Sequence, residues 1–143
     1  MFTKYPQTEI KKYWDVFKKH LEENLPPTSI GLKINLDEVF AKLMTDEMQM
    51  WIFINDKEEV LGFIVTAFSQ ELGFNFKNLV IYAAIATMPI DDNMWKTALS
   101  QVRDFAKKYE CKRILAYTCN PRVLKIIKML GGNTDFHLTT LEV

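Results

Sequence analysis

Apolar positions in the first part of the chain recur at spacings of three and four. Further along, they give way to nearly unbroken apolar runs. Ile10, Tyr13, Trp14, Phe17 and Leu21 share one face of a helix predicted over 8–24, and Lys11, Lys12, Lys18, Lys19, Glu22 and Glu23 fill much of the remainder. Thr8 is the expected cap, and Pro26-Pro27 stops the helix. A shorter helix is predicted over 36–46, capped by Asn35, with Leu36, Val39, Phe40 and Leu43 as its apolar stripe. The runs MQMWIFIN (48–55), EVLGFIVTAF (59–68) and LVIYAAIAT (79–87) then read as three strands. Asn55 to Glu58 is a turn and SQELGFNFKN (69–78) a loop or hairpin tip. Both faces of these strands are apolar, so the sheet needs a layer on each side.

The period then returns to that of a helix. Asp91 or Asp92 caps a helix reaching about Tyr109, which is expected to bury Trp95, Ala98, Leu99, Val102, Phe105, Ala106 and Tyr109. CKRILAYTC (111–119) is a strand, and Asn120-Pro121 opens another helix with Leu124, Ile127 and Leu130 inward, ended by Gly131-Gly132. The tail DFHLTTLEV (135–143) reads as a last strand. Two early helices, an antiparallel meander and a βαβαβ-like second half make an α/β (α+β) sandwich. It is expected as one domain over 1–143, with no repeat or linker.

Composition narrows the function classes. The 18 basic and 18 acidic residues cancel, which argues against a dedicated nucleic-acid binder. The N-terminus MFTKYPQTEI lacks the apolar core of a signal peptide, and no apolar run approaches the roughly 18 residues of a membrane span. Cys111 and Cys119 bracket one strand. At about 3.3 Å per residue they stand too far apart to bridge, and so read as reduced thiols of a cytoplasmic-type compartment. No His or Cys partner lies at metal-ligand spacing, so no metal is expected.

The helix NPRVLKIIKMLGG (120–132) and the passage FAKKYECKRILAYT (105–118) resemble the corresponding segments of the GNAT family of acetyl-CoA-dependent N-acetyltransferases. The likeness covers about residues 48–143 and rests on element order, Asn120, Gly131 and apolar spacing. It implies a mixed sheet with an antiparallel N-terminal meander, parallel splayed central strands and helices on both faces. It also implies that a glycine-containing loop at a helix start holds the coenzyme A pyrophosphate on free N–H groups.

The departures from the family pattern concern chemistry. The loop should fall at MPIDDNMWKTAL (88–99), which has no glycine. Bulky Met94 and Trp95 are expected in the phosphate space, and Asp91 and Asp92 put negative charge there. Ile127 stands where the resemblance implies a proton-donating tyrosine, and LVIYAAIAT offers no carboxylate base. No catalytic residue is therefore assigned. In an active protein the cofactor-binding residues would be Met88, Asn93, Met94, Trp95, Lys96 and Asn120.

The expectation is a GNAT-like protein without transferase activity and without cofactor. It would act through contacts with other proteins or with itself, and NPRVLKIIKMLGG also looks like the GNAT-like virion and assembly proteins of short-tailed phages. Such a protein would sit in host cytoplasm or virion. The alternative is a divergent N-acetyltransferase using acetyl-CoA. Phe74 and Phe76 mark a partner surface if their segment is a loop, whereas in a strand one of them faces the core. His20 reads as a surface residue, and the pair Asp135 and His137 lacks a placed nucleophile. The lysines and arginines of the C-terminal half read first as a solvated face, with phosphate or nucleic-acid contact as the lesser alternative.

Overall fold

The computed structural model describes residues 1–24, 35–118, 120–137 and 139–141. The elements run β1 (Phe2–Lys4), α1 (Gln7–Lys12), α2 (Trp14–Glu23), α3 (Leu36–Met44), β2 (Met48–Ile54), β3 (Val60–Gln70), β4 (Lys77–Ala86), α4 (Asp92–Lys108), β5 (Cys111–Ala116) and α5 (Pro121–Met129). The five strands form one sheet in chain order. Every pairing is antiparallel except β4 with β5, which is parallel.

Two cores sandwich the sheet, as the two-faced apolar strands require. Met48, Met50 and Ile52 of β2 face Ile10, Phe17 and Leu21 from the first two helices, and Val39 and Leu43 of α3 complete that layer. The alternate residues Trp51 and Phe53 face α4, against Ala98, Val102 and Ala106. A period of two along the strand thus sorts one run into two layers. On the α4 side the polar residues Gln49 and Thr66 are buried too. The Trp51 indole N–H donates to Thr66 Oγ1 at 3.0 Å, the Thr66 hydroxyl donates to Gln49 at 2.8 Å, and the Gln49 amide donates to the Asp46 carbonyl at 2.6 Å. This satisfied chain fixes which face of β2 lies on which face of β3.

Several expectations are corrected. The helix expected over 8–24 is two helices joined at Tyr13 (φ −110, ψ 18). The bend lets Ile10 on one piece and Phe17 and Leu21 on the other all bury against a twisted sheet. Pro6, not Thr8, is the first cap residue, and its carbonyl accepts from Glu9 and Ile10. The reason is that the chain arrives from a strand not read in the sequence, β1. Three residues are too few to show a period, yet Phe2 stacks on Trp51 at 5.6 Å and tilts against Phe53 at 4.7 Å. The expected last strand is absent among the described residues of the tail, where Phe136 is 83% and Leu141 90% exposed. Strand propensity counts where side chains pack on a face, and Phe136 and Leu141 pack on none. Residues 25–34, Cys119, Leu138 and 142–143 lie outside the described residues, with the Pro26-Pro27 stop and the end of the predicted tail strand among them.

The remaining caps agree with the sequence reading. Asn35 accepts from Asp37 and Glu38, Asp91 from Met94, and Asn120 from Arg122 with Pro121 following. At Gly62 of β3 an added Cβ would fall 2.5 Å from the Ile85 carbonyl oxygen, so only glycine permits this approach to β4.

Candidate functional site

Consecutive residues Val65 and Thr66 of β3 pair with Ala83 and Ile81 of β4, leaving Tyr82 as an extra residue. This is a β-bulge, which bends the strand carrying it. Ile81 is also the last β4 residue paired with β5, opposite Ala116. Beyond that point the two parallel strands part. The bulge also reverses the facing of β4: Leu79 and Ile81 look toward α4, whereas Ala83 and Ile85 pack toward the first three helices. Ala84 is thereby turned toward the gap, where its small side chain leaves room.

The gap is a cleft of about 300 Å³. Ile81, Tyr82 and Ala84 of β4 form one side, and Ala116, Tyr117 and Thr118 at the end of β5 form the other. Trp95 and Leu99 of α4 and Val123, Ile126 and Ile127 of α5 make up more of the wall, and Asn24 at the end of α2 reaches it as well. The lining is mostly apolar with a few polar groups, as expected of a site for an elongated organic ligand. Strand parting leaves main-chain N–H and C=O groups of β4 without a β5 partner, and a ligand with amides can pair with them.

The start of α4 borders this region. Asp91 accepts the Met94 N–H at 2.8 Å. One Arg122 guanidinium nitrogen donates to the Ile90 carbonyl at 2.7 Å and to the Asp92 carboxylate at 3.0 Å. The carboxylates expected there are thus in place. The two bulky side chains expected in the phosphate space lie on different sides of α4. Trp95 packs edge-on against Phe53 at 4.9 Å and forms cleft wall without plugging it. Met94 turns to the other side, to a depression of about 290 Å³ that it lines with Asn93, Met1 and Phe2.

Of the six cofactor-binding candidates, the cleft therefore gathers Trp95 and Asn120, while Asn93 and Met94 belong to the second depression. Met88 and Lys96 line neither; the Met88 N–H is tied to the Leu61 carbonyl at 3.0 Å. The sequence reading missed Tyr82, Ala84, Leu99, Tyr117 and Val123. The small pair Ala83-Ala84 within the apolar run of β4 was the available signal. Arg122 was read only as part of a basic surface.

The polar chemistry on the lining is limited to phenols, a hydroxyl, amides and the Trp95 indole; no carboxylate lines the cleft among the described residues. Burial, and then the charge of Glu38, raise the Tyr82 pKa, so this phenol stays protonated and acts as a donor. Tyr117 is half-exposed at the cleft mouth. Burial also raises the Cys111 pKa, more than nearby Lys77 lowers it, and keeps that residue a thiol. No group of three potential metal ligands occurs among the described residues. No helix among them is long and apolar enough to cross a membrane. The ring of Phe74 lies 5.3 Å from that of Phe76 in the β3–β4 connection, with Phe74 59% exposed, so the segment is a loop, not a strand.

No protein-family model matches the sequence, and no curated protein matches it. Solved structures do match the fold. A structure described as a "probable acetyltransferase" is 14% identical with a TM-score of 0.73, covering 100% of this chain and 97% of that one. The aminoglycoside N-acetyltransferase AAC(6')-Iy in complex with a bisubstrate analogue, CoA-S-monomethyl-acetylneamine, is 13% identical with a TM-score of 0.72, covering 100% and 97%. A ribosomal-protein-alanine N-acetyltransferase from Brucella melitensis biovar Abortus 2308 is 9% identical with a TM-score of 0.67, covering 100% and 99%. At these identities the likeness establishes the fold, which is GNAT-like: a mixed five-stranded sheet with helices on both sides.

Proposed function

We propose that this chain is a divergent N-acyltransferase that binds a pantetheine thioester of the acetyl-CoA class in the cleft between β4 and β5. The observation that carries this reading is the parting of the two strands at the Tyr82 bulge. It supplies an apolar slot of ligand size beside unpaired main-chain groups of β4. A pantetheine arm is a narrow chain with two amides, and it suits such a slot by adding to the strand edge as a short extra strand. The structural neighbours include an N-acetyltransferase solved with coenzyme A, which favours the same ligand class.

In this reading the acceptor amine enters from the open mouth and its nitrogen attacks the thioester carbonyl. The carbon–sulfur bond breaks, the acyl group stays on nitrogen, and the sulfur leaves as thiolate. With no carboxylate on the lining, the amine gives its proton to water. The Tyr117 phenol protonates the thiolate and recovers a proton from solvent. Its position at the mouth supports that role, and Ile127, at the place implied for a tyrosine, forms only apolar wall.

The test supplies S-acetylpantetheine and acetyl-CoA as donors to a panel of primary amines and follows thiol release. Amine-dependent release is expected. Tyr117→Phe should lower kcat about 10²-fold or more while leaving KM little changed. Absence of release and of binding with both donors would sink the reading.

A second reading, a GNAT-fold protein that acts through protein contacts without transfer, draws on the β3–β4 tip. There Leu72 is 96% and Phe74 59% exposed. It expects both donors to be inert and Phe74→Ser to weaken self-association or partner binding.

A further inference from the structure

The charges of this neutral chain are unevenly placed. Residues 1–102 carry ten Lys and Arg against fourteen Asp and Glu, and residues 103–143 carry eight against four. The C-terminal excess is most concentrated on α5, PRVLKIIKM, which has no acidic residue. Helical spacing divides this helix cleanly. Val123, Ile126 and Ile127 line the cleft. Arg122, Lys125 and Lys128 are exposed on the other side, with Met129 54% exposed among them. One helix is therefore both the wall of the ligand slot and a basic ridge facing outward.

The nearby start of α4 has the opposite character. Asp91 takes up one of its free N–H groups, and the Asp92 carboxylate stands beside it, held by Arg122. Asp91 lines the separate depression, but Asp92, 3.0 Å from Arg122, stands at the α5 rim, where its charge opposes the doubly charged diphosphate of a free nucleotide-type donor. A pantetheine thioester tethered to a protein brings a single phosphodiester and no diphosphate. The protein at the end of the tether then rests against the rim of the slot, which is the α5 ridge.

We propose that the ridge of Arg122, Lys125 and Lys128 is a docking surface for an acidic carrier protein, which delivers the acyl group into the β4–β5 cleft on a phosphopantetheine arm. Complementary charge orients the carrier and speeds encounter, and the exposed Met129 gives the ridge an apolar contact point. The transfer balances as in the preceding reading. The acceptor nitrogen replaces sulfur on the carbonyl carbon, the amine proton goes to solvent, and the protonated thiol leaves on the carrier arm. The proposal rests on the thioester reading of the cleft and adds the form in which the donor arrives.

Calorimetry of the full chain with a bacterial holo-acyl carrier protein, its apo form lacking the arm, coenzyme A and S-acetylpantetheine tests it. The holo carrier should bind about tenfold or more tighter than the apo carrier and than coenzyme A, and less tightly as salt rises. The exposed double substitution Lys125→Glu/Lys128→Glu should weaken holo-carrier binding about tenfold while S-acetylpantetheine binding persists. That persistence also shows that the variant is folded. Equal binding of holo and apo carrier, tighter binding of coenzyme A, or an unaffected double variant would overturn the proposal and leave the thioester reading standing. Failure of all four ligands to bind would remove both.

Discussion

The Arg122 guanidinium lies 3.0 Å from the Asp92 carboxylate and ties the first turn of α5 to the first turn of α4. Both side chains are more than half exposed, so the pair contributes at most about 1 kcal/mol to stability. Its larger effect falls on anions. In Asp92→Asn the guanidinium keeps its bond to the Ile90 carbonyl while the repelling charge is gone. Coenzyme A affinity should rise roughly three- to tenfold, with melting temperature nearly unchanged. Titration of both proteins at one salt concentration checks this, and unchanged affinity would show that Asp92 does not oppose the phosphates.

Two alanines, Ala98 on α4 and Ala84 on β4, should respond in opposite ways. Ala98 is fully buried against the sheet, whereas Ala84 across the cleft is exposed and lines it. Ala98→Leu should overpack the core and cost about 1–3 kcal/mol in urea unfolding. Ala84→Phe should leave stability within about 1 kcal/mol and abolish binding of S-acetylpantetheine by filling the slot. Ligand binding that survives Ala84→Phe would place the donor elsewhere.

Thr66 both accepts from the Trp51 indole and donates to Gln49, deep in the α4-side core. Thr66→Val keeps the shape and removes both bonds. Two buried polar groups then lack partners, at about 1–3 kcal/mol each. A loss of roughly 2–4 kcal/mol in denaturant unfolding is expected. A near-neutral result would mean that water replaces the hydroxyl.

The β3–β4 hairpin is tied to β5 by charge. Arg113 lies 3.0 Å from Glu71 and donates to the buried Asn78 at 3.2 Å, while the Asn78 amide donates to Glu71. The hydrogen bond from Arg113, and then that from Asn78, hold the Glu71 pKa below its ordinary value of 4.5. A depressed carboxylate pKa stabilises the fold above the unfolded-state value, and that contribution is lost as pH falls through the folded-state value. Glu71→Gln should therefore lower the melting temperature modestly at neutral pH, flatten its decline through the carboxylate range, and converge on wild type in acid. Parallel melting profiles of wild type and variant through the acid limb would contradict this.

Much of the architecture was legible because it depends on short-range chemistry. Two-faced apolar strands required a layered sheet, and Asn35, Asp91 and Asn120 marked helix starts because each can bond its own backbone. The Asp91 and Asp92 carboxylates were placed correctly at a helix N-terminus for the same reason. Those features belong to the sequence itself.

The cleft belongs to the tertiary structure. The Tyr82 bulge is a mismatch between two strands, lying between the pairs Thr66–Ile81 and Val65–Ala83, and no residue of β4 announces it alone. That mismatch turned Ala84 toward the gap at the point where β4 leaves β5. A three-residue β1 exists because Phe2 packs on Trp51, and the β-prone tail forms no strand among its described residues. Local propensity is a matter of one residue and its near neighbours. Which main-chain groups lose their partners, and so face a ligand, is decided only when distant strands choose their register.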